Sequence, residues 1–248
     1  MNRATFDFTG TVILVTGGTS GIGHAIATAF RDAHATVHVT GTRRTADEYD
    51  TDLSRLEYHQ LEMTDAAAVD ALGRSFTALD VLVNNAGMNF PGGRDEWIPD
   101  AFEDALTINL SGHFRLTMAC HDALVASTAP GGANVVNLAS MSAFRAVPIV
   151  PGYGSAKAGL LQLTRNLAAR WATEGIRVNA LAPGVIDTPM TAPMKGLPEL
   201  VDEQIAHIPM GRFGTVDEIA GVALFLCTEQ ASYMTGHAVA VDGGYAIV

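Results

Sequence analysis

Tyr153 and Lys157 stand four residues apart in a stretch of helical pattern, so their side chains share one face. An ammonium about 4 Å from a phenol, at an effective dielectric near 20, favours the phenolate by roughly 4 kcal/mol. That is worth about three pKa units, enough to bring a tyrosine from about 10 towards neutrality against the opposing cost of burial. Such a phenol exchanges a proton near physiological pH. Ser140 is a poor proton donor, but its hydroxyl can hold a substrate oxygen against Tyr153 and stabilise charge developing there.

A second constellation binds rather than reacts. Thr16-Gly-Gly-Thr-Ser-Gly-Ile-Gly23 follows a strand-like run and opens a helix-like one. In that context Gly17 and Gly21 allow a tight turn and close backbone approach to a pyrophosphate, and Gly23 lets the helix pack on the strand. The free N–H groups of the helix start, over Ser20 to Gly23, face the anion. Dinucleotide folds that use NAD place an Asp or Glu about 20 residues further on to hold the ribose hydroxyls. This chain has Thr40-Gly-Thr-Arg-Arg44 there. Thr42 can donate a hydrogen bond, and Arg43 can pair with a 2′-phosphate through two N–H groups. Although Asp47 and Glu48 lie close by, the balance favours NADP(H) over NAD(H).

These residues need a scaffold, and the alternation of apolar runs supplies one. Strands are expected at Val12 to Val15, Thr36 to Thr40, Leu56 to Gln60, Val81 to Val83, Asn134 to Leu138, Ile176 to Leu181 and Ala238 to Val241. Helical patterns separate most of them, at Ile22 to Asp32, Asp65 to Phe76, Pro99 to Ser127, Tyr153 to Glu174 and Val216 to Cys227. Strands separated by helices need parallel crossovers. The expected fold is α/β: a doubly wound, Rossmann-like parallel sheet of seven strands with helices on both faces, in one domain spanning 1–248. The aperiodic stretch from Gly184 to Pro198, rich in Pro, Met and Thr, reads as part of a substrate loop around 184–210.

Five landmarks in order now carry a resemblance over nearly the whole length: the glycine turn, Asn84-Asn-Ala-Gly87, Ser140, Tyr153-Gly-Ser-Ala-Lys157 and Pro183-Gly184. The chain resembles the compact single-domain type of short-chain dehydrogenase/reductase. The resemblance implies a catalytic group of Asn109, Ser140, Tyr153 and Lys157, with Asn109 holding a water beside Lys157. It implies that Asn84, Ala86 and Gly87 line the cofactor cleft and that Pro183, Gly184, Ile186 and Thr188 border the nicotinamide. Glu62, followed by Met63, stands where the family usually has Asp near the adenine, and Ser20 replaces the basic residue of many NADP-using members. A homotetramer is also implied, with the long helices at Pro99 to Ser127 and Tyr153 to Glu174 pairing across one interface and the C-terminal strand in another.

The formal charge of -11 disfavours nucleic acid and anionic lipid as partners. No run reaches the roughly 18 apolar residues of a membrane span, and MNRATFDFTG lacks a leader's apolar core, which points to the cytoplasm. The two cysteines, Cys120 and Cys227, read as buried thiols, and the eight histidines as surface or satisfied core residues without metal spacing. Candidate pocket residues are Asn89, Phe90, Met141, Phe144, Val147, Ile149, Met190, Met194 and Leu197. Their apolar character suggests a small neutral alcohol or ketone as substrate. A catalytically silent sensor or scaffold would be expected to lose Tyr153, Lys157 or Ser140, and all three are present. An enoyl reductase is disfavoured because that related group sets its Tyr and Lys farther apart. A 3-oxoacyl-thioester reductase stays open as an alternative.

Overall fold

In strand β1 (Val12–Val15) Ile13 and Val15 enter one apolar cluster and Leu14 another, as the two-residue period of a strand requires. The same division recurs at β4 (Val81–Asn84), where Val81 and Val83 oppose Leu82. A strand that buries both faces belongs in a sheet covered on both sides. The computed structural model describes residues 4–248; residues 1–3, where the segment read above as lacking a leader begins, lie outside them.

All seven strands are parallel, in the order β3-β2-β1-β4-β5-β6-β7. The remaining strands are β2 (Thr36–Gly41), β3 (Glu57–Gln60), β5 (Ala133–Leu138), β6 (Ile176–Pro183) and β7 (Ala238–Val241). Ile26 and Phe30 of α1 (Gly21–Asp32) and Ile219 and Leu224 of α8 (Val216–Leu226) cover one face. The other is covered by Val69 of α2 (Ala66–Ser75), Leu116 of α4 (Gly112–Ala119), Leu124 of α5 (His121–Val125) and Leu167 and Trp171 of α6 (Pro151–Trp171). The sheet and its two helical layers are those expected of a doubly wound fold. Cys120 and Cys227 are both buried, which pushes each thiol up to about 12.

Two elements differ from the sequence pattern. The expected single helix from Pro99 to Ser127 is divided: α3 (Pro99–Leu106) runs into a π-turn at Thr107–Ser111, then α4 and α5. A π-turn inserts a residue into the helix, and apolar periodicity over so short a stretch does not reveal it. The expected loop at 184–210 contains helix α7 (Pro198–Ala206), begun by a proline and bearing no fully buried residue. Leu200, Val201 and Ile205, spaced as on one helix face, are only half-buried, and a stripe that short does not by itself mark a helix within a Pro-rich stretch.

Candidate active site

The glycine turn between β1 and α1 is built for close approach. Gly17 and Gly21 have φ of 62° and 52°, the left-handed region that favours glycine. A Cβ on Gly17 would lie 2.9 Å from Ala86 Cα in the loop after β4. Asn85 locks the turn, its Nδ2 donating to the carbonyls of Thr16 (2.8 Å) and Gly17 (3.1 Å). Thr16 Oγ1 in turn accepts the N–H groups of Asn85 and Ala86, both at 2.9 Å. Gly17, Ser20, Gly21, Ile22 and Gly23 line a cleft of about 520 Å³ at the carboxyl ends of the strands, where such sheets bind ligands.

Thr42, Arg43, Glu62 and Met63 line the same cleft beyond β2 and β3. The Arg43 guanidinium lies over the Tyr49 ring, 4.7 Å from its centroid, and the Arg43 N–H donates to Tyr49 Oη at 2.9 Å. Tyr58 donates its hydroxyl to the Arg43 carbonyl, and Gln60 Nε2 donates to that of Thr42 at 3.1 Å. The loop after β2 is thereby fixed by two aromatic side chains. Tyr49 also closes the end of β2, because a Cβ on Gly41 would lie 2.4 Å from Tyr49 Oη and 2.8 Å from Thr19 Cγ2. An acid at position 41 would require the Tyr49 and Thr19 side chains to shift.

Ser140, Tyr153 and Lys157 line the same cleft with Pro183, Gly184, Ile186, Thr188 and Met190, and Thr188 reaches the glycine turn, where a Cβ on Gly21 would lie 3.5 Å from its Cβ. Lys157 is only 2% exposed. Its Nζ donates to the Leu138 carbonyl at 2.7 Å and lies 5.4 Å from the centroid of the Tyr153 ring. Burial pulls its pKa down to about 7, so much of the charge expected to favour a phenolate is absent above neutrality. Burial raises the Tyr153 phenol, the Ser140 hydroxyl lowers it by hydrogen bonding, and the charge of Glu96 raises it further. The net direction in the cofactor-free protein is upward, so the lysine's charge does not outweigh burial as the spacing alone suggested.

Asn109 lies in the π-turn, wholly buried. Its Nδ2 donates to the carbonyls of Met88 and Ala105, each at 2.9 Å, and its Oδ1 accepts the Met88 N–H at 3.2 Å. It sits beside Lys157 all the same: a Cβ on Gly87 would lie 2.6 Å from Asn109 Oδ1 and 3.5 Å from Lys157 Nζ. Only glycine leaves that corner open, and Ala86 and Gly87 both line the cleft.

A family model described as Enoyl-(Acyl carrier protein) reductase matches residues 17–246. The galactitol 2-dehydrogenase (L-tagatose-forming) of Cereibacter sphaeroides is 37% identical, the alignment covering 99% of this chain and 98% of that protein. The 3-oxoacyl-[acyl-carrier-protein] reductase FabG of Aquifex aeolicus is 36% identical over 95% of this chain and 97% of its own length. The RhlG/NADP active-site complex of Pseudomonas aeruginosa superposes with a TM-score of 0.86 at 28% identity, covering 99% of this chain and 100% of that one. The chain belongs to the short-chain dehydrogenase/reductase family. It is an NAD(P)-dependent oxidoreductase.

Several expected positions in this short-chain dehydrogenase/reductase are placed differently. Asn84 does not line the cleft: it is wholly buried, and its Nδ2 donates to Thr117 Oγ1 and Asn137 Oδ1, both at 2.8 Å, tying β4 to α4 and β5. Its neighbour Asn85 faces the cleft instead. Met141 packs against Val185, Ile208 and Tyr245, outside the cleft lining. Phe144, Ile149 and Leu197 are exposed and also stand outside it, as do Asn89, Phe90, Val147 and Met194. Of the apolar pocket candidates only Met190 lines the cleft, joined by Met88 and Ile108. His113 is buried with Nε2 2.6 Å from the Ala86 carbonyl oxygen, but its Nδ1 has no partner among the described residues. Burial, with a smaller contribution from Lys157, pushes its pKa down to about 3, so it is neutral.

Gly41, Tyr49 and Glu96 escaped the sequence reading. Gly41 was visible as an absent acid. Tyr49 sits in a polar stretch where nothing announces it, and its role is purely tertiary.

Proposed function

We propose that the enzyme interconverts a small neutral secondary alcohol and its ketone, with Tyr153 as proton donor and acceptor and NADP(H) as the preferred cofactor. The reading rests on the meeting of Ser140, Tyr153 and Lys157 in one cleft with the glycine turn. Gly17, Gly21 and Gly23 would cradle the pyrophosphate, and Thr42 and Arg43 would take the 2′-phosphate. The bound dinucleotide supplies or accepts the hydride. Ser140 holds the substrate oxygen, and Tyr153 passes a proton to it in reduction or takes one in oxidation. Lys157, close to its own titration midpoint, restores the tyrosine's proton, with Asn109 holding a water beside it in the corner that Gly87 leaves open. Met190 and Met88, in the same cleft lining as Ser140 and Tyr153, would give the substrate apolar surface.

NADP(H) is favoured by the closed space at Gly41 and by the ordered Arg43 backbone. The test is a panel of neutral alcohols and ketones, sugar acids and 3-oxoacyl thioesters, assayed with both cofactors in the parent and in Arg43→Ala. The parent is expected to prefer NADP(H), and Arg43→Ala to lose about tenfold in kcat/KM for it, a loss of about 1.4 kcal/mol. A preference for NAD(H) that the substitution leaves unchanged would overturn the cofactor reading. Best turnover with a sugar acid or thioester would overturn the substrate reading.

The assembly is a homotetramer, located in the cytoplasm. Phe114 and Met118 of α4, Val125 of α5 and Phe225 of α8 are large apolar side chains left exposed, which a subunit interface would cover. Light scattering at micromolar concentration should give four times the chain mass of 26.0 kDa. A monomeric mass counts against it. No described helix is long and apolar enough to cross a membrane.

A further inference from the structure

Glu96 has no exposed surface. A carboxylate taken so far from water costs several kcal/mol unless donors meet it. Two do. Glu96 Oε1 accepts the N–H of Phe90 and Oε2 the N–H of Tyr153, both at 2.8 Å. The second of these is the backbone of the reactive tyrosine itself, in the first turn of α6.

That N–H is one of the donors every helix start leaves without an intrahelical partner. Val150, the residue at the N-cap, makes no side-chain cap bond, so the cap comes from a distant segment of the chain. The carboxylate thereby sits at the positive end of a 21-residue helix. Gly152 leaves the space, since a Cβ there would lie 3.2 Å from Glu96 Oε2 and 2.9 Å from Ala105 Cβ. The first bond holds Phe90, a non-glycine residue at φ 48°, in a strained conformation next to the cleft-lining Gly87 and Met88. Trp97 adds a second tie, its indole N–H donating to the Pro148 carbonyl at 2.8 Å.

We propose that Glu96 is a positioning residue for the reaction: it joins the backbone of Tyr153 to the segment that begins at the cleft and sets a buried carboxylate against the first turn of the tyrosine's helix. The proposal rests on the role given to Tyr153 above. The groups that act on this phenol are Ser140 from the β5 loop, Lys157 from α6 and Glu96. On the neighbouring α3, Asp100 and Glu103 are exposed and Asp104 pairs with Arg94. His113 of α4 stays neutral. Glu96 therefore opposes Lys157, and proton release by Tyr153 awaits the positive ring of an oxidised dinucleotide.

The experiment is a titration of the Tyr153 phenolate by near-ultraviolet absorbance, in the parent, Glu96→Gln and Trp97→Phe. Each is read as the difference from the same protein carrying Tyr153→Phe, with and without oxidised NADP. In Glu96→Gln the ionisation should move to lower pH by at least about half a unit, the sign expected when a like charge is removed. In Trp97→Phe, which loosens the same segment without touching charge, it should stay in place. A parental titration in Glu96→Gln, or an equal shift in Trp97→Phe, overturns the proposal. Failure of the dinucleotide to move either titration would instead count against the proposed function. If Glu96→Gln does not fold, Glu96→Asp keeps the charge but is one methylene shorter. There the Tyr153 amide should lose hydrogen-exchange protection while the ionisation stays raised, and an amide as protected as in the parent overturns the positioning role.

Discussion

Tyr153→Phe is expected to lower kcat by roughly a thousandfold while leaving the dissociation constant for NADP(H) within about twofold. The substitution removes the phenolic proton that the proposed mechanism passes to the substrate and keeps the ring that lines the cleft. Ser140 remains, but a serine hydroxyl gives up its proton far less readily than a phenol. In the proposed binding mode most of the cofactor contacts come from the glycine turn and the Arg43 loop, which the substitution leaves intact. Steady-state kinetics and the fluorescence of bound reduced cofactor separate the two quantities. Turnover within about tenfold of the parent would falsify the tyrosine mechanism, since it would mean a cost of only about 1.4 kcal/mol.

Lys157→Met should abolish turnover and make the protein more stable. The lysine is almost wholly buried, with its pKa drawn down from 10.5 to about 7. Between those values the unfolded chain carries a proton that the folded chain lacks. The group's contribution to stability therefore rises with pH through that window, and its penalty is full below about pH 7. Methionine has similar length and no charge, so the variant should gain roughly 1 to 3 kcal/mol near pH 6, reduced by the lost bond to Leu138. The advantage should shrink as pH is raised towards 10. Thermal melts of both cofactor-free proteins across that range provide the check, and a gap that widens with pH would refute the assignment.

How much of this was legible beforehand depends on the range of the interaction. The Tyr153 and Lys157 pair was readable because helical spacing alone puts the two side chains on one face. The glycine turn was readable because strand, turn and helix follow one another directly. In Asn84-Asn85 the residue types were clear and their division of labour was not: one bonds into the sheet and the other into the turn, which depends on Thr117 and Asn137 far along the chain. The π-turn was hidden because one inserted residue leaves the surrounding apolar spacing helical. Glu96 was hidden more completely. Beside Arg94 and Asp95 it looks like part of a solvated charged run, and only the packing of α6 against that segment takes it out of water.

The closed corner at the end of β2 also bears on how this enzyme's cofactor choice could drift over evolutionary time. A single codon change that put an acid at position 41 would set its Cβ against the Tyr49 hydroxyl, and so would meet a steric barrier before it conferred any recognition of a ribose. The ring has to shrink or withdraw first. Yet Tyr49 also carries Arg43 on its face and accepts its N–H, so shrinking it would loosen the loop that is proposed to meet the 2′-phosphate. Neither order of the two substitutions is neutral along the way. Exchange of one cofactor for the other would therefore ask for coordinated change at positions 41 and 49, because the ring that orders the loop also fills the space an acid would enter.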